Sequence, residues 1–164
     1  MPLSTIDPST FRSVLGRFAS GVTVVTVRDS ENCDHGLTVS AFCSLSLDPP
    51  LVLICIEKDA SLHDVLASGN IASRFAVNIL EAKQEEVARR FAEEHPDRFE
   101  GIGFSRGITG APILDDCLAV IECDVQSRHP AGDHTIVIGT VIGSATNEGR
   151  PLLYYRGGYA TLDR

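Results

Sequence analysis

The stretch Gly36 to Val52, GLTVSAFCSLSLDPPLV, decides the fold class of this chain. From Gly36 to Leu47, hydroxyl-bearing residues alternate with apolar ones, and a period of two is typical of a strand with two different faces. Asp48-Pro49-Pro50 ends this strand, because proline lacks an amide donor and restricts the residue before it. Leu51 to Ile56 is apolar throughout and predicts a second strand, buried on both faces.

More strands are predicted on both sides of this stretch. Short β-branched or apolar segments fit a pleated surface, because their side chains are stiff at χ1. These segments are 22–27, 75–80, 118–125, 135–142 and 152–159. Turn-like segments at 129–133 and 147–151 separate the last three. At least six strands with few intervening helices disfavour parallel winding and predict an antiparallel barrel with peripheral helices.

A helix is predicted near the start of the chain. Asp7 is suited to cap it and Pro8 fits its first position. An apolar stripe follows at helical spacing and predicts a face that packs against something else; it consists of Phe11, Val14, Leu15 and Phe18.

Two further helices and a loop are predicted in the middle of the chain. Asp59 and Gly69 would cap a short helix between them. Ala82 to Glu94 is rich in helix-forming residues and predicts a surface helix. The glycine-rich segment 95–113 has no periodicity and predicts a long loop that serves a site.

Composition limits the classes of partner. The chain has 164 residues, 14 Lys and Arg against 22 Asp and Glu, and a formal net charge of −8. This length predicts a single domain, residues 1–164. Its net negative charge would be repelled by a phosphate backbone or an anionic membrane. We expect no nucleic-acid partner and no membrane association.

The cysteines and histidines do not predict a metal or disulfide site. The five cysteines, at 33, 43, 55, 117 and 123, are odd in number and form no Cys-x-x-Cys pair. His129 and His134 lie in a loop beside a single carboxylate, which more often marks two separate histidines than a metal pair. Met1 to Asp7 lacks the basic start and apolar stretch of a signal peptide, so a reducing, cytoplasmic setting is predicted.

Motifs of several common enzyme classes are absent from the sequence. There is no phosphate loop of the Gly-x-x-x-x-Gly-Lys type, no Gly-x-Gly-x-x-Gly turn, no Gly-x-Ser-x-Gly elbow and no His-Glu-x-x-His helix. These absences exclude the chemistries that depend on those motifs.

Six segments, in order, resemble the short-chain NAD(P)H:flavin reductase family. They are Phe18–Thr26, Gly36–Val52, Phe75–Leu80, Gly110–Leu114, Gly132–Gly139 and Pro151–Tyr159. The resemblance covers most of the chain and implies a mainly β fold, an antiparallel six-stranded Greek-key split β-barrel with peripheral α-helices, that binds FMN or FAD. This chain departs from the family in having no tryptophan, whereas relatives commonly carry one before the Gly110 motif. Phe104 is the residue nearest to that position.

The resemblance implies a set of flavin contacts. Thr38, Val39, Ser40 and Ala41 would contact the flavin ring, largely through backbone groups, with Ser44 near the ribityl-phosphate region and Cys55 packed beside the cofactor. Small Ala41 also permits the close approach of a flat ring. The alternative is a half-exposed strand whose hydroxyls point to water.

Phosphate contacts are expected where the strand ending at residue 56 gives way to a helix. Lys58 supplies a charge, and Ala60 and Ser61 would lie at the positive end of the helix. By resemblance, Arg90 and Phe91 would contact the outer part of the cofactor. An ordinary capped turn is the alternative for the first group.

The same family resemblance implies a nicotinamide side of the site. His134 would be the catalytic residue, as a donor to the nicotinamide amide or a group that positions it. Arg156, Gly157, Gly158 and Tyr159 would contact the rest of the dinucleotide. The alternative is a terminal strand pair with a solvated arginine.

The predicted function is an NAD(P)H:flavin oxidoreductase that passes hydride to FMN or FAD. Family members typically act as homodimers and supply reduced flavin to a separate flavin-dependent monooxygenase. One alternative keeps FMN tightly bound and passes electrons to another acceptor, such as a corrinoid. The others are a non-catalytic FMN-binding module and an interaction module without a small ligand.

Overall fold

The computed structural model describes residues 5–69 and 71–163. Residues 1–4, part of the segment in which no signal peptide is predicted, lie outside the described residues. In chain order the elements are α1 (Pro8–Leu15), β1 (Ser20–Gly21), β2 (Thr23–Arg28), β3 (Asp34–Val39), β4 (Phe42–Leu47), β5 (Pro50–Glu57), a π-helical turn (His63–Ala67), β6 (Arg74–Ile79), α2 (Glu85–Ala92), β7 (Phe104–Arg106), β8 (Pro112–Leu114), β9 (Ala119–Ala131), β10 (His134–Thr146), β11 (Leu152–Tyr155) and β12 (Gly158–Thr161).

Seven strands form one antiparallel sheet in the order β3-β2-β6-β9-β10-β5-β4. Its two edge strands, β3 and β4, are consecutive in the chain and only Ser40 and Ala41 separate them. The sheet must therefore curl until its edges meet, and the amide of Cys55 in β5 donates to Ala41 at this junction. The predicted antiparallel barrel is confirmed. Strands β3 and β4 together correspond to one of its six predicted strands.

The predicted continuous strand from Gly36 to Leu47 is wrong in one respect. The chain bends at Ser40 and Ala41, and a register shift follows between Ser44 and Ser46 in β4. The alternation of hydroxyl and apolar residues therefore does not make one uninterrupted face. The bend was not visible in the sequence because the period of two continues through it.

Two apolar clusters hold the barrel and its helices together. The first fills the barrel and includes Val25, Ile54 and Phe75, each fully buried. The second lies against α2 and includes Val24 and Phe91. Because Val24 and Val25 are neighbours in β2 and point to opposite faces, this strand is covered on both sides.

The prediction that segment 51–56 is buried on both faces is wrong. Val52, Ile54 and Ile56 are buried in the barrel, whereas Leu51, Leu53 and Cys55 are half-buried on its outer face. An apolar residue on an outer face is common in folded proteins, so the run alone did not reveal this.

The first helix is confirmed, with Asp7 as its N-cap accepting from the amide of Thr10 at 3.0 Å. Its apolar stripe is not covered by the described residues: Phe11, Val14, Leu15 and Phe18 are all exposed, Phe18 by 83%. The opposite side of α1 faces the turn between β11 and β12, because the amide of Arg156 donates to Gly16 at 2.9 Å. The helix thus turns its apolar side outwards.

The middle of the chain differs from its predicted helix and loop. The helix predicted between Asp59 and Gly69 is a single π-helical turn from His63 to Ala67, without a side-chain cap; Gly69 follows it with φ +106°. The predicted loop 95–113 contains β7 and the start of β8, which pair as a small hairpin.

The last predicted strand, 152–159, is the hairpin of β11 and β12, turning at Arg156 and Gly157. Both of these residues have positive φ, 52° and 79°. Gly157 supplies this conformation without strain, but the β-strand pattern of its neighbours hid the turn in the sequence. Among the described residues, no helix has the length and hydrophobicity that a transmembrane span requires.

Candidate functional site

A cavity of about 250 Å³ opens where the two edge strands of the barrel meet. It is lined by Leu37, Thr38, Val39, Ser40, Ala41, Cys55, Glu57, Ala60, Ala92 and His134. The bend, the end of β5, the following turn and the first residue of β10 thus converge on one site. The four predicted ring contacts, Thr38 to Ala41, all lie on it, together with Cys55, Ala60 and His134.

The bend presents backbone donors to this cavity. The carbonyl of Ser40 accepts from the amide of Phe42 at 2.9 Å, and that of Ala41 accepts from the amide of Cys55 at 3.0 Å. Within residues 5–69 and 71–163, the amides of Ser40 and Ala41 donate to no protein acceptor. Both residues are exposed, so these amides are available to a ligand or to water.

The Thr38 hydroxyl has a structural partner. It donates to the carbonyl of Ala88 in α2 at 2.6 Å and so fixes the helix against β3. Only the backbone and the remaining surface of Thr38 are left to line the cavity. The sequence predicted the position but not this use of the hydroxyl.

His134 lies at the cavity with its orientation fixed by its neighbour. Its Nδ1 is 2.7 Å from the carboxylate of Asp133, and its side chain is 41% exposed. The hydrogen bond from His134 lowers the pKa of Asp133. Because a carboxylate only accepts, Nδ1 carries the proton, and Nε2 of neutral His134 is an acceptor.

Cys55 has the properties of a packing residue. Burial raises the pKa of its thiol, and neighbouring Cys43 raises it further. A protonated thiol is a poor nucleophile, so its contribution to the site is shape and polarisability.

A second cavity, of about 340 Å³, lies beside the first along β3 and contains Ser61 and Arg98. It is also lined by Asp34, which pairs with Arg106, and by Glu94 and Asp97. Arg98 donates through Nη1 to the carbonyl of Gly36 at 2.9 Å and to the hydroxyl of Ser61 at 3.2 Å. Gly36 precedes Leu37, which lines the first cavity, so the two cavities are adjacent. Sequence reasoning missed Arg98, although it lies in the loop that was predicted to serve a site.

The helix expected to begin at Ser61 is short. Residues 61–67 are helical, with His63–Ala67 as a π-helical turn, and so few aligned peptide groups give only a weak positive end. Lys58 is exposed, and its amide donates to Asp133 at 2.9 Å. The guanidinium of Arg98 is therefore the cation in direct contact with Ser61.

Besides Lys58, three further predicted flavin contacts do not line either cavity. Ser44 is exposed on β4, and Arg90 donates to the carbonyl of Glu100 at 2.8 Å. Phe91 is fully buried on the inner side of α2, with its ring centre 5.0 Å from that of Phe99. Phe91 therefore supports the wall of the site from within the core.

The predicted dinucleotide segment lies apart from the first cavity. Arg156 and Gly157 line a different cavity, beside α1. Tyr159 packs against α2, where the guanidinium of Arg89 lies 4.9 Å from the centre of its ring. Another cavity, of about 840 Å³, is lined by acidic residues such as Glu81 and Asp115 and by none of the predicted site residues.

The fold and this cavity define a class of protein: an antiparallel barrel with a ligand site where its two edge strands meet. The family model of the flavin reductase like domain matches residues 15–163. The chain belongs to this family and is an oxidoreductase, as are its relatives named as flavin reductases.

Relatives and solved structures agree with this assignment. The chain is 43% identical over 162 residues to the reductase subunit HsaB of a flavin-dependent monooxygenase from Mycobacterium tuberculosis, covering 96% of this chain and 84% of the relative. It is 42% identical to a nitrilotriacetate monooxygenase component B homologue from Mycobacterium thermoresistibile, with a TM-score of 0.90 and coverage of 96% and 88%. The NADH:FAD oxidoreductase SgcE6 of Streptomyces globisporus, solved with NAD and FAD fragments, has 38% identity, a TM-score of 0.87 and 96% coverage of both chains.

Proposed function

We propose that the protein is an NAD(P)H:flavin oxidoreductase that reduces FMN or FAD and releases the reduced flavin to a separate flavin-dependent monooxygenase. The observation that carries this proposal is the convergence of the bend, Cys55, Ala60 and His134 on one cavity. The family membership and the functions of the relatives support the choice of reaction.

The residues of the cavity fit a flat heterocycle. Ala41, Ala60 and Ala92 leave room for a ring, and half-buried Cys55 adds a polarisable surface. The free amides of Ser40 and Ala41 are suited to donate to ring carbonyl oxygens or nitrogens. When bound there, a flavin supplies the hydride acceptor, and the chain supplies position and exclusion of water.

His134 is proposed to orient the nicotinamide. With Nδ1 donating to Asp133, neutral His134 presents Nε2 as an acceptor, which matches the amide group of the nicotinamide as a donor. This modifies the expected role of donor. The histidine holds the carboxamide and does not need to transfer a proton.

The phosphate end of the flavin is proposed to lie in the second cavity. Arg98 and Ser61 provide a charge-assisted donor and a hydroxyl, and Lys58 adds a mobile charge nearby. Such local donors are needed in a protein with a net charge of −8. The proposed phosphate contacts do not include Ser44, Arg90 or Phe91. The proposed contacts of the dinucleotide remain Arg156 to Tyr159.

We propose that the protein is a homodimer. Apolar side chains are exposed on the outward side of α1 and, separately, on β4 at Leu45 and Leu47, the latter 97% exposed. Large exposed apolar surfaces often mark sites of contact between proteins. A second copy of the chain is the occupant that the family resemblance favours.

A cytoplasmic location is also proposed. All five cysteines are free thiols, and Cys33 and Cys43 are exposed. Exposed free thiols persist in a reducing compartment, where disulfides are rare.

The test is anaerobic oxidation of NADH and of NADPH with FMN and with FAD as acceptors. We expect one donor and one flavin to be preferred, and the flavin to separate from the protein on gel filtration. If the flavin stays bound through turnover, an enzyme that passes electrons to another acceptor, such as a corrinoid, replaces this proposal. Binding of flavin without donor oxidation indicates an FMN-binding module.

A further inference from the structure

A separate cavity of about 410 Å³ lies between α1 and the turn that joins β11 to β12. Arg12 and Arg17 border it from the helix side, and Arg156 borders it from the turn. Among the residues that the structure describes, no aspartate or glutamate lines it. Three arginines thus surround a space large enough for part of a nucleotide.

This concentration of positive charge is unusual in an acidic chain. The protein has 14 basic residues against 22 acidic ones. Within residues 5–69 and 71–163, no carboxylate forms a salt bridge with Arg12, Arg17 or Arg156. The position of Arg12 in the last turn of α1 is favourable for the helix dipole, but this does not explain the other two arginines.

The backbone holds the arginine of the turn in place. The amide of Arg156 donates to the carbonyl of Gly16 at 2.9 Å. A Cβ atom at Gly16 would lie 3.5 Å from the Cα of Arg156, which is an ordinary van der Waals distance, so the turn lies in direct contact with the end of the helix. Arg156 has φ of 52°, in a two-residue hairpin turn where Asn is preferred, so the turn itself does not call for an arginine.

We propose that this cavity binds a phosphoryl group. Arginine presents a planar fork of donors that matches phosphate oxygens. The carboxylate of Asp7 lies next to the cavity but is engaged by the hydroxyl of Ser9 and the amide of Thr10, so the three arginines form an anion site. The phosphoryl group belongs to the donor dinucleotide or is free phosphate. The dinucleotide source rests on the proposed function, whereas phosphoryl binding does not.

The first experiment is calorimetric titration of the protein with inorganic phosphate and with pyrophosphate in a chloride buffer of matched ionic strength. We expect saturable binding that weakens about tenfold in Arg156→Gln and in Arg12→Gln. Arg150→Gln is the matched control, because Arg150 is also exposed and does not line this cavity. It removes the same charge and is expected to leave phosphate binding and activity unchanged.

The second experiment identifies the source by comparing KM for NADH and NADPH. A rise of about tenfold in KM for NADPH alone in Arg156→Gln assigns the 2′-phosphate, and a rise for both donors assigns the pyrophosphate. Loss of phosphate binding with both KM values unchanged assigns free phosphate. If Arg156→Gln does not fold, as judged by circular dichroism, Arg12→Gln and Arg17→Gln provide the comparison.

Two results would overturn the proposal. One is binding of phosphate no stronger than that of chloride, and the other is equal weakening in Arg150→Gln, which would indicate a general charge effect. Because the titration needs no flavin reduction, a protein that binds phosphate here but oxidises no donor contradicts the proposed function and not this site.

Discussion

The hydrogen bond between Asp133 and His134 is the most specific polar feature of the candidate site. Sequence reasoning found His134 through the resemblance of the Gly132–Gly139 segment, but the residue pattern did not indicate which ring nitrogen is available. The structure supplies this detail, because Asp133 occupies Nδ1. The chemical role proposed for His134 follows from that single contact.

Replacement of His134 by Ala is expected to raise KM for the nicotinamide donor roughly threefold to tenfold, because one hydrogen bond to the donor is lost. Asp133→Ala should give a smaller rise, since the ring remains but is no longer oriented. Steady-state kinetics under anaerobic conditions measure both effects. His129→Ala is the control, because His129 lies on the same hairpin and its side chain, within residues 5–69 and 71–163, hydrogen-bonds only to Ser127; an equal rise there would refute the role of His134.

Gly36 allows the close packing of α2 on β3. A Cβ atom at this position would lie 2.5 Å from the ring of Phe91, which is fully buried. Gly36→Ala is therefore expected to lower the free energy of unfolding by roughly 1–3 kcal/mol. Urea unfolding measures the change, and Gly21→Ala, where no atom lies within 4 Å of the added carbon, should change it by less than about 0.5 kcal/mol. Equal effects would show that the contact with Phe91 is unimportant.

At the scale of elements, strand periodicity predicted where chain segments are extended but not where they bend. The bend at Ser40 and Ala41 and the turn at Arg156 and Gly157 both interrupt segments that look continuous in the sequence. Both are set by tertiary pairing, since each half pairs with a different strand or folds back on the other. The cavity lies at one of these bends, so its residues were predicted but its shape was not.

Helix α1 shows the same limit. Its spacing and N-cap predicted the helix, and its apolar stripe predicted a packing partner. The described residues leave that stripe exposed, because the chain uses the other side of the helix to contact the β11–β12 turn. Intramolecular and intermolecular contacts produce the same sequence pattern.

Leu15→Glu is expected to dissociate the proposed dimer, because it places a charge in the centre of the apolar side of α1, where Leu15 is 56% exposed. Sedimentation equilibrium should show association at least about tenfold weaker than in the unchanged protein. Ser105→Glu, on exposed β7, is the control and should leave association unchanged. A monomeric unchanged protein, or a variant that associates normally, would contradict the proposed interface.

For the molecule as a whole, the buried thiols make stability depend on alkaline pH. Burial raises the pKa of Cys117 to about 11 and that of Cys123 to about 12. In the unfolded chain these thiols ionise near pH 9, so there the unfolded state binds fewer protons than the folded one. Their contribution to stability is complete below about pH 9 and is lost as the pH rises towards the folded pKa values.

The free energy of unfolding is therefore expected to fall above about pH 9, by up to about 1.4 kcal/mol per pH unit for each thiol. Urea unfolding at a series of pH values measures this slope. Cys123→Ala should reduce the slope, whatever it does to stability at neutral pH, and exposed Cys33→Ala should not. A slope that is identical in the Cys123→Ala variant would show that the thiol does not ionise on unfolding.

The central claim is that the cavity at the meeting of the two edge strands holds the flavin ring during reduction. Its most direct test is anaerobic stopped-flow absorbance, with flavin and nicotinamide donor mixed against the unchanged protein and against Ala41→Leu. Ala41 is exposed and lines the cavity, so a larger side chain fills the space proposed for the ring. The control is Ala145→Leu, because Ala145 is exposed on β10 outside the cavity. We predict rapid bleaching of flavin by the unchanged protein and by the control. Bleaching should be at least about tenfold slower in Ala41→Leu. Equal rates in all three proteins would contradict the account.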